Sequence, residues 1–251
     1  MHYLLNWSGG KDSTASIIVA HEHQEPLDII IFAEAMFDRK NGISGENPEH
    51  IRFIRQTAIP QFEKWGYRVV VLRARRDYLS FFHRVIEHPS EYLDHKGKKF
   101  GFPVTRRCGI KRDMKVRPIE KYCRTFNGQV KQYIGICADE KSRLTSMHQK
   151  EGAISLLEKY NITQDMTAKM CASYGLLSPA YELSKRGGCW FCPYAKLEEQ
   201  REIKKMHPEA WETFVSLEEE ENLANRRYNI YGKTLHEIDM ELKAEKEERD
   251  E

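Results

Sequence analysis

Trp7-Ser8-Gly9-Gly10-Lys11-Asp12-Ser13-Thr14 is the stretch that decides the fold. It follows an apolar run, Tyr3 to Trp7, that reads as a buried strand, and it leads into a helix expected over Asp12 to His23. Two consecutive glycines let a backbone approach an anion without interference from a Cβ atom. The successive N–H groups of such a turn form an anion-binding nest at the positive end of the helix. Ser8, Ser13 and Thr14 add hydroxyls, and Lys11 adds a point charge. A Walker A loop needs four residues between its first glycine and a Gly-Lys pair, and the dinucleotide fingerprint needs a third glycine in step. Neither spacing is present. The bland alternative is an ordinary strand-to-helix turn capped by Ser or Asp.

Outward from this turn, strand and helix signals alternate. Leu27 to Ala35 is the β-branched run of a central parallel strand, and Tyr67 to Leu72 and Val130 to Cys137 are further strands. Between them, helices are predicted over Pro48 to Trp65 (kinked or broken at Pro60), Asp77 to Glu87 and Met114 to Arg124, with an irregular loop from Lys96 to Arg107. The alternation predicts an α/β fold, Rossmann-like, with a mostly parallel sheet and helices on both faces. Ligands of such sheets bind beyond the carboxyl ends of the strands. After residue 140 the pattern turns helical. Helices are predicted over Ile154 to Tyr160, Asp165 to Tyr174, Leu197 to Met206 and Pro208 to Asn222, with a charged, frayed helix from Thr234 to Glu251. A short extended piece spans Leu176 to Tyr181, and Lys185 to Pro193 reads as a tight loop. The division expected is 1–145, a nucleotide-binding α/β domain, and 146–251, a helical region packed on that same domain.

The chain has 251 residues, 40% hydrophobic and 31% charged, enough to bury a core of its own. No apolar run reaches the length of a membrane span and no signal-peptide pattern opens the chain, so the expected compartment is the cytoplasm and no membrane partner is expected. Six cysteines are too few for a disulfide scaffold. The net charge of +2 hides an uneven spread. Residues 96–124 carry eleven Lys and Arg against Asp113 and Glu120, a net of +9, while residues 195–251 carry ten basic and seventeen acidic residues, a net of −7. The basic stretch is either a solvated face or an electropositive wall for a nucleotide, a pyrophosphate or a nucleic-acid backbone.

Cys189-Trp190-Phe191-Cys192-Pro193 is a turn able to point two thiolates at one metal, with Trp190 and Phe191 as packing residues. Cys108 lies inside the basic stretch, where cationic neighbours favour the thiolate. Cys123 falls within a predicted helix, Cys137 ends the fourth strand, and Cys171 lies on a predicted helix.

Ser8-Gly9-Gly10-Lys11-Asp12-Ser13 fits the Ser-x-Gly-x-Asp-Ser motif of the PP-loop ATP pyrophosphatases, and within that superfamily the chain resembles the phosphoadenosine phosphosulfate (PAPS) reductase family. Three further segments carry the resemblance in the family's order: Cys108 to Lys121 with Lys115-Val116-Arg117-Pro118, Gly135 to Arg143 (GICADEKSR), and Leu177 to Cys192. The resemblance covers roughly residues 3–215. It implies a sheet of the adenine nucleotide alpha-hydrolase (HUP) type and a site for ATP or a PAPS-type adenine nucleotide. In that site Ser8, Gly9, Gly10, Lys11, Asp12, Ser13 and Thr14 hold phosphate, and an adenine seat lies near Phe32 and Ala33. It also implies a [4Fe–4S] cluster on Cys108, Cys189 and Cys192, as in the adenylylsulfate-reductase and DNA-phosphorothioation branches, with Cys171, Cys137 or an exogenous sulfur or substrate atom as the fourth ligand. Zn2+ is the alternative metal. Two departures stand out: Arg107 replaces the first cysteine of the Cys-Cys pair of the adenylylsulfate reductases, and no cysteine follows Cys192, where PAPS reductases carry their attacking thiol.

The chemistry the resemblance implies is ATP-dependent adenylation with release of pyrophosphate, coupled to sulfur transfer. Asp12 and Asp139 are the candidates to hold Mg2+, Lys11 to neutralise the departing pyrophosphate, and Lys111, Lys115 and Arg143 to clamp phosphate oxygens. A nucleic acid as sulfur acceptor, or a sulfur-donor protein, would be the partner. Two other readings are the reduction of PAPS or adenylylsulfate to sulfite and a nucleotide- or nucleic-acid-binding module without turnover.

Overall fold

Leu4 and Leu5 have no solvent exposure but pack into different clusters, one on each face of the sheet that their strand centres. The computed structural model describes residues 1–88, 95–103, 108–183, 188–228 and 232–250. Arg106 and Arg107 of the basic stretch, and Lys185 and Arg186 of the tight loop, lie outside the described residues. In chain order the elements are β1 (His2–Trp7), α1 (Lys11–Glu22), β2 (Ile29–Glu34), β3 (Met36–Asp38), β4 (Ile43–Ser44), α2 (Pro48–Phe53), α3 (Ile59–Lys64), β5 (Arg68–Arg73) and α4 (Tyr78–Phe82). There follow α5 (Arg117–Cys123), β6 (Val130–Tyr133), α6 (Lys141–His148), β7 (Ala153–Ile154), α7 (Leu156–Lys159), α8 (Gln164–Ser173), α9 (Ala180–Leu183), α10 (Leu197–Met206), α11 (Pro208–Ser216) and α12 (Leu235–Asp250). No helix among the described residues is long and apolar enough to cross a membrane.

The chain divides into two compact units. The first comprises Met1–Glu34, Pro48–Ala74 and Lys115–Gly187, and the second comprises Ala35–Asn47, Arg75–Met114 and Gly188–Glu251.

The first unit is the α/β body. Its five strands are all parallel, in the order β5-β2-β1-β6-β7, with Leu4 opposite Ile29, Trp7 opposite Phe32 and His2 opposite Val130. Alternation along the strands sorts the side chains. Leu5, Trp7, Ile30 and Phe32 join the helical residues Ile17, Ile18, Ile54, Phe62 and Leu157 on one face. Leu4, Ile29 and Ile31 meet Ile119 and Tyr122 of α5 on the other. Helices thus cover both faces, as an all-parallel sheet requires. The order reverses between β1 and β6, so the loops leaving these strands flank a topological switch point. At the end of β2, the carboxylate of Glu34 is fully buried and receives Arg55 (2.6 Å) and Arg73 (2.8 Å), which ties β5 and the segment after α2 to β2.

Pro60 neither breaks nor sharply ends the helix predicted over Pro48 to Trp65. A π-helical stretch, Ile54–Ala58, separates α2 from α3 and places Pro60 in the first turn of α3, where its missing N–H is not needed. The same device precedes α5: residues Lys111–Val116 are π-helical, and Pro118 lies in the first turn. The sequence reading misses β7, which is only two residues long, and α6, whose mean composition is polar.

The second unit is built on a core of rings. Phe37, Tyr78, Phe82, Phe102, Trp190, Phe191, Phe214 and Tyr228 are all buried. Their centroids lie 4.3 Å apart for Tyr78 and Phe191, 4.6 Å for Phe37 and Trp190, and 5.0 Å for both Phe82–Phe102 and Phe214–Tyr228. The helix predicted over Asp77 to Glu87 does face a core, but it is shorter, because the chain leaves α4 after Phe82 to bridge Val85 to Lys99. The hairpin β3–β4 and the helices α10 to α12 complete this unit. The acidic tail forms a helix because Leu235, Ile238 and Leu242 are buried and Glu218 accepts the Leu235 and His236 amides, both at 2.9 Å.

Candidate functional site

The turn after β1 is held by its own hydroxyls. Gly9 takes φ +78°, and a Cβ there would stand 2.6 Å from His50 Nε2 and 2.7 Å from Ile54 Cδ1, so both conformation and space demand glycine. Ser13 Oγ donates to the Gly10 carbonyl (3.0 Å) and accepts from the Ser8 amide (3.2 Å). Ser8 Oγ lies 3.1 Å from Ser13 Oγ and accepts from the Gly10 amide (3.3 Å). The Thr14 hydroxyl, fully buried, accepts from Trp7 Nε1 at 2.9 Å. The hydroxyls of Ser8 and Ser13 therefore shape the turn, and that of Thr14 receives Trp7. The amides of Gly9, Asp12 and Ser13 have no hydrogen-bond partner among the described residues, and they open at the positive end of α1.

Around this turn the first unit gathers a polar network. Lys11 Nζ donates to Asp12 Oδ1 (2.5 Å), Thr167 Oγ1 (3.0 Å) and the Gln164 carbonyl (3.4 Å). Thr167 Oγ1 also reaches Asp12 Oδ1 and the Gln164 carbonyl, each at 2.8 Å, and Cys137 Sγ donates to Asp12 Oδ1 at 3.4 Å. Burial works against the charge on Lys11, but the hydrogen bond and charge of Asp12 outweigh it and leave its pKa raised. The Lys11 amide donates to Tyr181 Oη at 2.9 Å, and Cys171 Sγ donates to the Lys11 carbonyl at 3.2 Å. Burial, followed by the Asp12 charge, pushes Cys171 up to about 12 and Cys137 above the ordinary thiol range, so both thiols stay protonated.

The other residues expected in the site are placed unevenly. Gly135, in the loop after β6, packs so closely that a Cβ there would lie 2.7 Å from the Ser13 amide nitrogen. Asp139 Oδ1 accepts from the Gln164 amide (3.1 Å), so it caps α8, the helix that carries Thr167. Arg143 is exposed and paired with Glu140, which in turn accepts the Cys137 amide at 2.9 Å. Lys115 is half-buried and engaged, and Lys111 is exposed in the second unit. Phe32 is buried against Trp7 at 5.5 Å, and Ala33 is buried beside it. β2 runs two residues past its last pairing with β1, which leaves the Ala33–Glu34 backbone without a strand partner on that side.

The cysteines fall into two groups. Cys137 and Cys171 belong to the first unit and to the network just described. Cys108, Cys189 and Cys192 belong to the second. Cys108 Sγ accepts from the Lys111 amide at 3.4 Å, and the Cys192 amide donates to the Cys189 carbonyl at 3.1 Å in a tight turn. Tyr228 Oη donates to the Cys192 carbonyl at 2.5 Å, and Trp190 Nε1 donates to the Ser44 carbonyl at 3.0 Å, so the expected packing role of Trp190 and Phe191 is what the geometry gives. Among the described residues no three His, Cys, Asp or Glu side chains are grouped to hold a metal ion. Cys171 Sγ is engaged at the Lys11 carbonyl.

Sequence reasoning missed Thr167, Tyr181 and His50. His50 is buried, with Nδ1 2.8 Å from Ser178 Oγ and Nε2 3.4 Å from the Ser8 carbonyl, and it braces the turn from behind. No spacing within the sequence links these three to residues 8–14. They arrive from α2, α8 and α9 through tertiary packing.

No protein-family model matches the chain, and no curated protein matches it significantly. Among solved structures it is similar to the U34-tRNA thiolase NcsA from Methanococcus maripaludis with its [4Fe-4S] cluster. The two share 14% sequence identity over 96% of this chain and 81% of that one, with a TM-score of 0.40. At that TM-score the likeness carries no argument, and the reading of this site rests on its own geometry.

Proposed function

We propose that this chain is a PP-loop enzyme that binds ATP, adenylates a substrate with release of pyrophosphate, and passes sulfur to the activated substrate. The observation that carries this reading is the turn from Ser8 to Ser13. Its Gly9, Asp12 and Ser13 amides, without partners among the described residues, lie at the N-terminus of α1, at the switch point of a parallel sheet. The open backbone edge at Ala33 and Glu34 supports an adenine seat on the neighbouring strand.

In this reading the triphosphate lies on the Ser8–Ser13 turn. A substrate oxygen attacks the α-phosphorus, an O–P bond forms, and the bond from the α-phosphorus to the bridging oxygen breaks. The electron pair leaves on pyrophosphate, whose charge meets the amides of the turn and Lys11. Asp12 Oδ2 has no partner among the described residues, which suits a water or Mg2+ that accompanies the nucleotide. A sulfur nucleophile from a donor protein then displaces AMP from the adenylated substrate. The basic stretch supports a nucleic acid as that substrate. No step is routed through a metal cluster.

Pyrophosphate release from ATP and Mg2+, with bulk nucleic acid supplied as the acceptor, tests the reading. Wild-type protein releases it, and the Lys11→Ala, Ser13→Ala double variant loses it by at least about a hundredfold. Sulfite release from PAPS or adenylylsulfate with no pyrophosphate from ATP would move the assignment to sulfonucleotide reduction.

A further inference from the structure

We propose that Tyr181 is a phosphate-binding residue of this site, whose hydroxyl donates to a di- or triphosphate held on the Ser8–Ser13 turn. The proposal rests on the nucleotide reading above and adds to it a residue that no motif marks. Tyr181 Oη accepts from the Lys11 amide at 2.9 Å, which fixes it at the first turn of α1. A Cβ at Gly10 would come within 3.1 Å of that oxygen, so it lies directly over the second glycine of the nest. Its own proton has no acceptor among the described residues. A hydroxyl that accepts an N–H keeps one donor to give, and here that donor stands at the Lys11 amide, next in the chain to the Asp12 amide, which has no partner among the described residues. Burial raises the Tyr181 pKa, so the proton is present at neutral pH.

The competing role is a plain helix cap, in which Tyr181 serves only the Lys11 amide. A cap acts equally with and without ligand, whereas a phosphate donor acts only when phosphate is bound. Binding of MgATP and of inorganic pyrophosphate to wild-type protein and Tyr181→Phe, measured by calorimetry on the full chain, separates the two. The expected result is a Kd about tenfold weaker for both ligands in Tyr181→Phe, the scale of one hydrogen bond to a charged acceptor. Unchanged affinity for both overturns the proposal and leaves the nucleotide reading standing. Wild-type protein that binds pyrophosphate but not ATP overturns the nucleotide reading, and the pyrophosphate arm still decides Tyr181. Wild-type protein that binds neither overturns both. If Tyr181→Phe fails to fold, 3-fluorotyrosine at position 181 gives the second measurement: its fluorine resonance shifts on adding pyrophosphate, and an unmoved resonance under saturating ligand overturns the proposal.

Discussion

Thr167 shows how much of the site depends on single side chains far away in the sequence. Its hydroxyl accepts from Lys11 and has two equidistant acceptors for its own proton, Asp12 Oδ1 and the Gln164 carbonyl, both at 2.8 Å. Asp12 can therefore leave for a cation without stranding that proton. Thr167→Val removes both roles and is expected to lower pyrophosphate release about tenfold, while Thr167→Ser stays within about twofold of wild type. A valine variant with full activity would exclude a positioning role. The cysteines give a second test at this scale. In native protein at pH 8, Cys137 and Cys171 should resist iodoacetamide while the half-buried Cys108, Cys189 and Cys192 label, with peptide mass spectrometry as the readout. Rapid labelling of Cys171 would contradict its burial on the Lys11 carbonyl. The glycines and hydroxyls of residues 8–14 were legible in the sequence because strand, turn and helix start are contiguous there. Thr167, Tyr181 and His50 were not legible, because only tertiary packing brings them to the turn. The bond from Trp7 to the Thr14 hydroxyl was not legible either, since nothing local shows it.

At the scale of elements, the loop after β6 leans on the first turn of α1 at Gly135. A methyl group there would sit 2.7 Å from the Ser13 nitrogen and 2.8 Å from the Asp12 carbonyl carbon, with backbone on the far side and no flexible side chain to yield. Gly135→Ala is expected to cost about 1–3 kcal/mol in urea unfolding. It should also weaken nucleotide binding, because the helix start must move. An alanine variant as stable as wild type would show that the loop gives way instead. The four longest strands of the sheet were legible, β2 and β5 from continuous β-branched runs and β1 and β6 from shorter apolar stretches bounded by turns. β7 was not, because two residues carry no period. Pro60 misled in the opposite direction. Pro60 signals a break, but a π-helical turn ahead of it resets the hydrogen bonding and lets the helix resume.

For the whole molecule, the chain crosses between two interleaved units, and the opposite charges of the basic stretch and the C-terminal region both hide in a near-neutral total. The anionic end is not merely solvated. Asp239 accepts from Trp211 Nε1 (2.6 Å) and pairs with Lys204 (2.8 Å) and Lys243 (3.0 Å). Burial alone would raise its pKa, but these donors outweigh it and hold it at about 2. A carboxyl depressed in the folded state contributes stability above its ordinary pKa and loses it as pH falls from about 4 towards 2. Asp239→Asn should therefore lower the melting temperature at pH 7 and lose less than wild type on acidification, by roughly 2 kcal/mol. Equal acid sensitivity in the two proteins would refute the assignment. The four tryptophans divide evenly, with Trp7 and Trp65 in the first unit and Trp190 and Trp211 in the second. The bond from Trp7 to Thr14 gives this division a practical consequence. Its indole is wired to the start of α1, so in a protein that keeps Trp7 as its sole tryptophan the proposed arrival of a nucleotide on the Ser8–Ser13 turn should register as a change in intrinsic fluorescence, needing no attached dye.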